Sequence, residues 1–241
     1  MIDVTHYSQS FGKRTVLTDV QFSIGRGEIV GLIGPSGSGK TTLIKSLIGL
    51  QQPTTGTITV LGTRQPSLAQ AEKIGYMAQS DALYEDLTAR GNLKYFGKLY
   101  GLKKARLRAR IETVLEFVDL KKDADRPIHQ FSGGMKRRLS LAIALIHEPS
   151  LLLLDEPTVG LDPNQIQAIR SMLAALGGEQ TLLFSSHVLA EVEQLCDRIL
   201  ILSRGRLVAD ESVQDAVSGG VVVELLCEEG RARALVAGVL R

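Results

Sequence analysis

Residues 28–50 read EIVGLIGPSGSGKTTLIKSLIGL, and that stretch decides what kind of fold the chain can adopt. EIVGLI is a short, continuous apolar run of the sort that suits a strand buried on both faces. TTLIKSLIGL carries helix-like spacing. Between them lies GPSGSGKT, Gly34–Thr41, which fits G-x-x-x-x-G-K-[ST] in the strand–loop–helix context that this motif requires. Glycines let successive backbone N–H groups curl around phosphate oxygens, and the helix N-terminus adds positive potential. Lys40 would reach the β- and γ-phosphates of a nucleotide, and Thr41 would offer a hydroxyl to Mg²⁺. A glycine-rich turn with a purely structural role is the competing account.

Outward from this stretch the same rhythm recurs. KIGYMAQ to Gln79, LLLLD to Asp155, TLLFSS to Ser186 and RILIL to Leu202 are further apolar runs, and helical spacing such as Met135, Leu139, Ile143 and Ile146 lies between several of them. Such alternation predicts a layered α/β core with helices crossing between parallel strands. Ahead of Glu28, VTHYSQS and VLTDVQFSI alternate in a way that predicts antiparallel strands at one edge of that core. From about Leu87 to Lys122 the rhythm breaks. KYFGKLYGLKKARLRARIETVLEFVDL has basic and apolar residues at helical spacing and reads as a helical insertion. Its cations Lys98, Lys103, Lys104, Arg106, Arg108 and Arg110 fit either a solvated helix face or an anionic membrane surface. After about Ala209 come VVVELL and a segment read as a short helix, GRARALVAGVL, too little to make a domain alone.

Composition narrows the function classes. A net charge of only +2 leaves no basic face of the kind nucleic acid requires, so no nucleic-acid partner is expected. Two cysteines, Cys196 and Cys227, cannot make a disulfide framework in a chain of 241 residues, which points to a reducing cytoplasm. The start MIDVTHYSQSFGKR lacks a cationic segment followed by an apolar stretch, and no apolar run approaches the roughly 20 residues that span a bilayer. The chain reads as neither secreted nor membrane-spanning.

Asp155 and Glu156 close a run too apolar to be anything but a buried strand. Adjacent carboxylates there would repel and resist desolvation unless a cation or a reacting water engaged them. Mg²⁺ held by Asp155, directly or through water, and a water oriented or deprotonated by Glu156 fit both needs. Simple solvent exposure is the alternative. His187 follows TLLFSS and would reach the carboxyl-end edge of the sheet, where ligands of open α/β folds bind. It would contact a γ-phosphate there or serve as an ordinary surface or capping residue, and Gln79 stands the same way. FSGGM, Phe131–Met135, spells a second anion-binding turn: Ser132 would N-cap the helix MKRRLSLAIALI, with Gly133 and Gly134 exposing N–H groups at its start. With Lys40 and residues 37–42 already around the phosphates, this turn has to serve something else.

The order of these features is specific. Phe11, GPSGSGKTT, Gln79, FSGGM, LLLLDEP, GLD at Gly160–Asp162 and His187 make the chain resemble, over about residues 2–210, the nucleotide-binding subunit of ATP-binding cassette (ABC) transporters. The resemblance implies a P-loop NTPase (RecA-like) core with an antiparallel β edge subdomain and a helical signature subdomain. It divides the chain into a cassette over 1–210, with its helical insertion at about 87–147, and a short C-terminal appendage over 211–241. It implies ATP and Mg²⁺ as ligands. In that family two cassettes pack head to tail, and each ATP lies between the phosphate loop of one and the signature turn of the other. FSGGM would therefore serve the partner's ATP.

Carried over by position, Phe11 would stack on adenine, and Gly34, Ser36, Gly37, Ser38, Gly39, Lys40, Thr41 and Thr42 would hold the phosphates. Ser132, Gly133 and Gly134 would meet the γ-phosphate across the interface. Thr41, Gln79 and Asp155 would serve Mg²⁺, while Glu156, His187 and Lys40 would carry hydrolysis. Gln79 would also link the site to the membrane partner, and Asp162 would communicate between the two sites. FSGGM departs from the family's commonest LSGGQ, so a contact through the amide side chain is absent. Phe11 replaces the more frequent tyrosine and keeps the stacking ring. The run from FSGGM to GLDP, with DALYEDLTARGNL, is most similar to ATPase subunits of the ABC-2 type exporters, although Gly91 stands where those often carry Glu. The implied partners are a second cassette, identical or not, and a separate membrane permease, with the chain on the cytoplasmic face of the cell membrane. Related cassettes acting on DNA or ribosomes form the second functional class. The first of these is usually split by a long coiled coil and the second usually carries two cassettes, and neither feature is present here. A P-loop kinase or GTPase would leave FSGGM, GLD and His187 without a role.

Overall fold

Leucine-, isoleucine- and valine-rich runs too short for helices become the strands of a central sheet, because burying both faces of an extended segment needs only a few apolar residues. The protein's structure, a computed structural model, describes residues 1–178, 180–218, 222–226 and 231–235. In chain order the elements are β1 (Ile2–Phe11), β2 (Arg14–Ile24), β3 (Ile29–Ile33), α1 (Lys40–Leu47), β4 (Thr55–Val60), β5 (Thr63–Arg64), β6 (Ile74–Met77), α2 (Ala89–Leu99), α3 (Lys104–Phe117) and α4 (Gly133–Leu145). They continue with β7 (Leu151–Leu154), α5 (Pro163–Ala174), β8 (Thr181–Ser186), α6 (Leu189–Glu193), β9 (Arg198–Ser203), β10 (Arg206–Ser212), α7 (Val213–Ser218), β11 (Val222–Leu226) and β12 (Arg231–Leu235).

The central sheet has the order β10-β9-β3-β8-β7-β6. Strands β9, β3, β8, β7 and β6 run parallel, and β10 closes one edge antiparallel. Crossovers between parallel strands need helices on the faces, and these supply them. This mixed, mainly parallel topology makes the fold α/β, as expected. Register then fixes the site. Ile33 pairs with Ser186, Leu154 with Phe184, and Met77 with Leu154, so the loops leaving β3, β6, β7 and β8 emerge along one carboxyl-end edge.

The antiparallel strands expected near the start are present. They form a sheet of their own, β2-β1-β4-β5, whose inward side chains pack over α1. Ile2, Val4 and Tyr7 of β1 and Leu17, Val20 and Phe22 of β2 share a buried cluster with Leu43, Ile44 and Leu47 of α1. The Tyr7 hydroxyl also hydrogen-bonds Ser46 Oγ at 2.5 Å, tying sheet to helix. A second cluster joins α2, α3 and α4 to the opposite face of the central sheet, through residues such as Leu93, Leu115, Leu141 and Leu152.

The C-terminal segment departs from the expectation. Residues 231–235, read as part of a helix, form β12, paired antiparallel with β11 from Val222↔Leu235 to Leu226↔Arg231. RARAL alternates with period two, and an available partner strand satisfies its backbone. Cys196 is buried, and burial pushes its thiol pKa up, as expected of a small core residue. Cys227 and the end of the tail, residues 236–241, lie outside the described residues.

Candidate functional site

The phosphate loop leaves β3 at Gly34 and feeds directly into α1. Gly39 is the N-cap of α1 at φ +108°, a left-handed geometry that L side chains rarely adopt. Gly37 sits at φ +78° with nothing within 4 Å of where a Cβ would stand, so the mouth of the loop is open. Ser36 and Gly37 are exposed, Thr41 and Thr42 are half-buried in the first turn of α1, and Lys40 is only 5% exposed. Lys40 Nζ donates to Gly34 O at 2.7 Å and to Pro35 O at 3.3 Å, folding back across the loop that precedes it. Its ammonium also lies 3.2 Å from Glu156 Oε1.

Asp155 and Glu156 follow β7 as expected, and both are buried. Ser185 Oγ donates to Asp155 Oδ1 at 2.7 Å and accepts from Glu156 N at 2.9 Å. His187 Nδ1 lies 2.8 Å from Glu156 Oε2, so Glu156 is held between the imidazole and the Lys40 ammonium. Glu156 adopts φ +49°, a left-handed backbone that is costly for a non-glycine residue and persists only when its surroundings over-determine it. Burial, with the Asp155 carboxylate nearby, raises the pKa of Tyr76 on β6.

Two buried oxygens of the site residues lack partners. Asp155 Oδ2 and Ser38 Oγ make no hydrogen bond among the described residues. An unpaired carboxylate oxygen in a residue with no solvent exposure is a strong demand for a cation or an ordered water. The donor set of carboxylate and hydroxyl oxygens suits a hard cation such as Mg²⁺, which takes one or two protein ligands and completes its shell with water and phosphate. Among the described residues no three His, Cys, Asp or Glu side chains gather into a metal cage, in keeping with that mode of binding. Asp155, with Thr41 at the start of α1, therefore fits the ion.

The remaining sequence-derived residues fall into separate places. Ser132 caps α4 as expected, its Oγ accepting from Met135 N at 3.3 Å. Ser132 and Gly133 are exposed, and nothing lies within 4 Å of a Cβ placed at Gly133. Gly134 faces the Gln165 side chain, and a pocket of ≈ 230 Å³ opens between the α4 turn and the start of α5. Asp162 caps α5 in a reciprocal box, accepting from Gln165 N at 2.9 Å while Gln165 Oε1 accepts from Asp162 N at 3.4 Å. Phe11 is 49% exposed at the end of β1, and Gln79 is exposed just beyond β6. Among the described residues, no hydrogen bond or ion pair links Phe11 or Ser132–Gly134 to Lys40, Asp155, Glu156 or His187. Among the described residues Lys40, Asp155, Glu156 and His187 thus form one assembled cluster, and the turn at Ser132–Gly133 opens separately to solvent.

Ser185 and Arg137 were not singled out by sequence reasoning. Ser185 is one of two serines closing a strand, and only the parallel register shows that it meets Asp155. Arg137 donates to backbone carbonyls on both sides of the site, including Gln79 O at 2.8 Å and Pro157 O at 3.0 Å. A lone cation at the helical spacing of Ser140, Leu141 and Ala144, all buried, was its only signal.

Comparison with known proteins bears on this arrangement. A family model described as ABC transporter matches residues 17–159. The chain is 44% identical over 215 residues to the Nod factor export ATP-binding protein I of Sinorhizobium fredii, covering 87% of this chain and 62% of that protein. It therefore spans less than two thirds of that relative's length. The structure is similar to a solved ATP-binding subunit of an ABC transporter, with TM-score 0.78 and 34% identity over 91% of this chain and 92% of the other. It is also similar to a dimeric ATP-binding cassette in a post-hydrolysis state bound to ADP and Pi, with TM-score 0.78 and 28% identity over 88% and 99% of the two chains.

Proposed function

The chain belongs to the ABC transporter family, as an ATPase cassette of the exporter group, and from that premise we propose that it binds and hydrolyses ATP to drive a separate membrane permease. Two cassettes, taken here as copies of this chain, enclose two nucleotides. Each nucleotide lies between the phosphate loop of one copy and the Ser132–Gly134 turn of the other. The observation that carries the reading is the convergence of Lys40, Asp155, Glu156 and His187 on one edge of a parallel sheet, beside an open glycine loop. A complete turn at Ser132, with no partner in its own chain's cluster, supports a site completed by a second copy.

In this mechanism Lys40 leaves Glu156 and Gly34 O to donate to β- and γ-phosphate oxygens. The backbone N–H groups of residues 37–42 bind the phosphates without reorganising. Thr41, Asp155 and Gln79 would hold Mg²⁺, which would neutralise phosphate charge. Glu156 takes the proton of the attacking water as its oxygen bonds to the γ-phosphorus and the bond to the β–γ bridging oxygen breaks. His187 holds the Glu156 carboxylate from the far side and meets the γ-phosphate. Phe11 stacks on the adenine. Asp162, capping the helix beside the signature turn, links one site to the other.

Loss of the γ-phosphate removes the bridge between copies, and their separation passes through the Gln79 segment and α2–α4 to the permease. No helix among the described residues is long and apolar enough to cross a membrane. In this account the permease is a separate chain, and this one works at the cytoplasmic face. Residues 1–210 form the cassette in this account, with the helical insertion at about 87–147, and residues 211–241 an appendage. The Sinorhizobium protein's name specifies export of Nod factor; only the export direction is carried over, because the membrane subunit selects the cargo. The test is phosphate release from ATP and Mg²⁺ by the purified chain and by Glu156→Gln. Turnover in the first and its loss in the second are expected, and equal turnover in both removes Glu156 from the base role.

A further inference from the structure

Six acceptors converge on one side chain to which the hydrolysis scheme above gives no part. Arg137 lies in the second turn of α4, just beyond the Ser132–Gly134 turn, and is 3% exposed. Its Nε donates to Pro157 O at 3.0 Å. Nη1 donates to Ala78 O at 3.1 Å, Gln79 O at 2.8 Å and Asp81 Oδ1 at 3.2 Å. Nη2 donates to Asp155 O at 3.2 Å and to Glu156 O. Every edge of the guanidinium is used. One turn further along α4, Ser140 Oγ donates to the same Asp81 Oδ1 at 2.8 Å, so the Gln79–Asp81 segment is fastened to α4 twice.

The acceptors belong to two loops that leave different strands, β6 and β7, and they include the carbonyl of the residue with the left-handed backbone. A buried cation needs compensation on this scale, but nothing about charge burial requires that the carbonyls come from these loops. A planar fork of five donors can bridge two separate backbone segments and a helix at fixed distances; a single ammonium cannot. Glu156 itself is set by only a few contacts. Ser185 holds its N–H, Lys40 and His187 hold its carboxylate, and its carbonyl accepts from Arg137 and from Val159 N at 3.3 Å. Removing the guanidinium leaves only that longer backbone bond on the ψ side of a residue in a costly conformation.

We propose that Arg137 is a positioning residue that locks Glu156 in its left-handed geometry and makes the Gln79–Asp81 segment, α4 and the Asp155–Pro157 segment move as one unit. This rests on the hydrolytic reading of Glu156 above. Its consequence is directional. A displacement of the Gln79 segment, or of the signature turn at the head of α4, is delivered to the carboxylate that acts on water, with no contact between Arg137 and nucleotide.

The test compares the full-length chain with Arg137→Met and Arg137→Lys. Steady-state turnover is expected to fall by about 10- to 100-fold in Arg137→Met, the range that misplacement of reacting groups produces, with a smaller loss in Arg137→Lys. The dissociation constant for a fluorescent ATP analogue should stay within about threefold, because no Arg137 contact lies on residues 34–42. A fall in kcat below about threefold in folded Arg137→Met protein overturns the proposal, as does an affinity loss that matches the kcat loss. Backbone hydrogen exchange supplies a second readout that needs no turnover and is carried by the milder Arg137→Lys. Faster exchange is expected in residues 78–81 and 155–158 together, with residues 34–42 unchanged. Acceleration of only one segment, or of neither, overturns the coupling. A wild-type chain that does not hydrolyse ATP would defeat the ATPase reading while leaving the exchange result to judge the link itself.

Discussion

Lys40 Nζ stands 3.2 Å from Glu156 Oε1, with both side chains nearly removed from solvent. In the proposed mechanism this pair joins the ammonium that reaches phosphate to the carboxylate that acts on water, so phosphate competes with Glu156 for Lys40. Neutralising the carboxylate should remove the competitor, so Glu156→Gln is expected to bind ATP at least as tightly as the wild type while losing about 100-fold or more in turnover. Titration with a fluorescent ATP analogue, beside a phosphate-release assay, checks both halves. Weaker binding by Glu156→Gln would contradict the competition.

Lys40→Ala acts in the opposite sense. It deletes charge-assisted hydrogen bonds of about 1.5–3 kcal/mol to the phosphates, and affinity should fall by about 10- to 100-fold. The same titration reads it, and an unchanged dissociation constant would take Lys40 out of the phosphate site.

Ser185 joins two groups that would otherwise be stranded in a buried strand end. Ser185→Ala leaves Glu156 N without its acceptor and Asp155 with neither oxygen bonded to protein. The expected loss is about 1–3 kcal/mol, the cost of buried polar groups left unpaired. A urea midpoint equal to that of the wild type would show that water replaces the hydroxyl without cost.

Much of this site was legible in the chain because its signals are local. GPSGSGKT needs only a strand before it and a helix after it, and β3 and α1 are there. Ser132 caps α4 because a serine three residues ahead of a free N–H is a short-range device. Asp155 and Glu156 sit where an apolar run ends. What escaped was tertiary. Period-two alternation in β1 and β2 says that one face is buried but not against what, so the antiparallel unit was legible and its packing over α1 was not. β4, TGTITV, and the two-residue β5 carry too few apolar residues to stand out as strands. The tail was read at helical spacing although RARAL alternates equally well, and pairing with β11 decided it. Ser185 and Arg137 act through partners 30 and some 20 to 60 residues distant in sequence, where no spacing rule reaches.

Stability should depend on pH through a residue remote from the nucleotide. His147 stacks on Tyr100 with ring centroids 3.6 Å apart and an interplanar angle of 8°, and its Nε2 lies 3.1 Å from Ile74 O. Burial holds its pKa below the ordinary value, opposed by the Ile74 carbonyl and aided by the Arg110 charge. The unfolded chain then takes up the proton more readily. The contribution is present above the unfolded pKa of about 6.5 and is lost as pH falls through the depressed folded value. Urea unfolding from about pH 7 to 5 should show wild-type stability declining more steeply than that of His147→Phe, and parallel curves would contradict the assignment.

The most direct test of a site shared between two copies is the mass of Glu156→Gln protein by light scattering, with and without ATP and Mg²⁺, beside the double variant that also carries Ser132→Arg. A dimer that requires ATP and disappears in the double variant is the predicted result. Protein that binds ATP yet keeps the monomer mass at every concentration would contradict it.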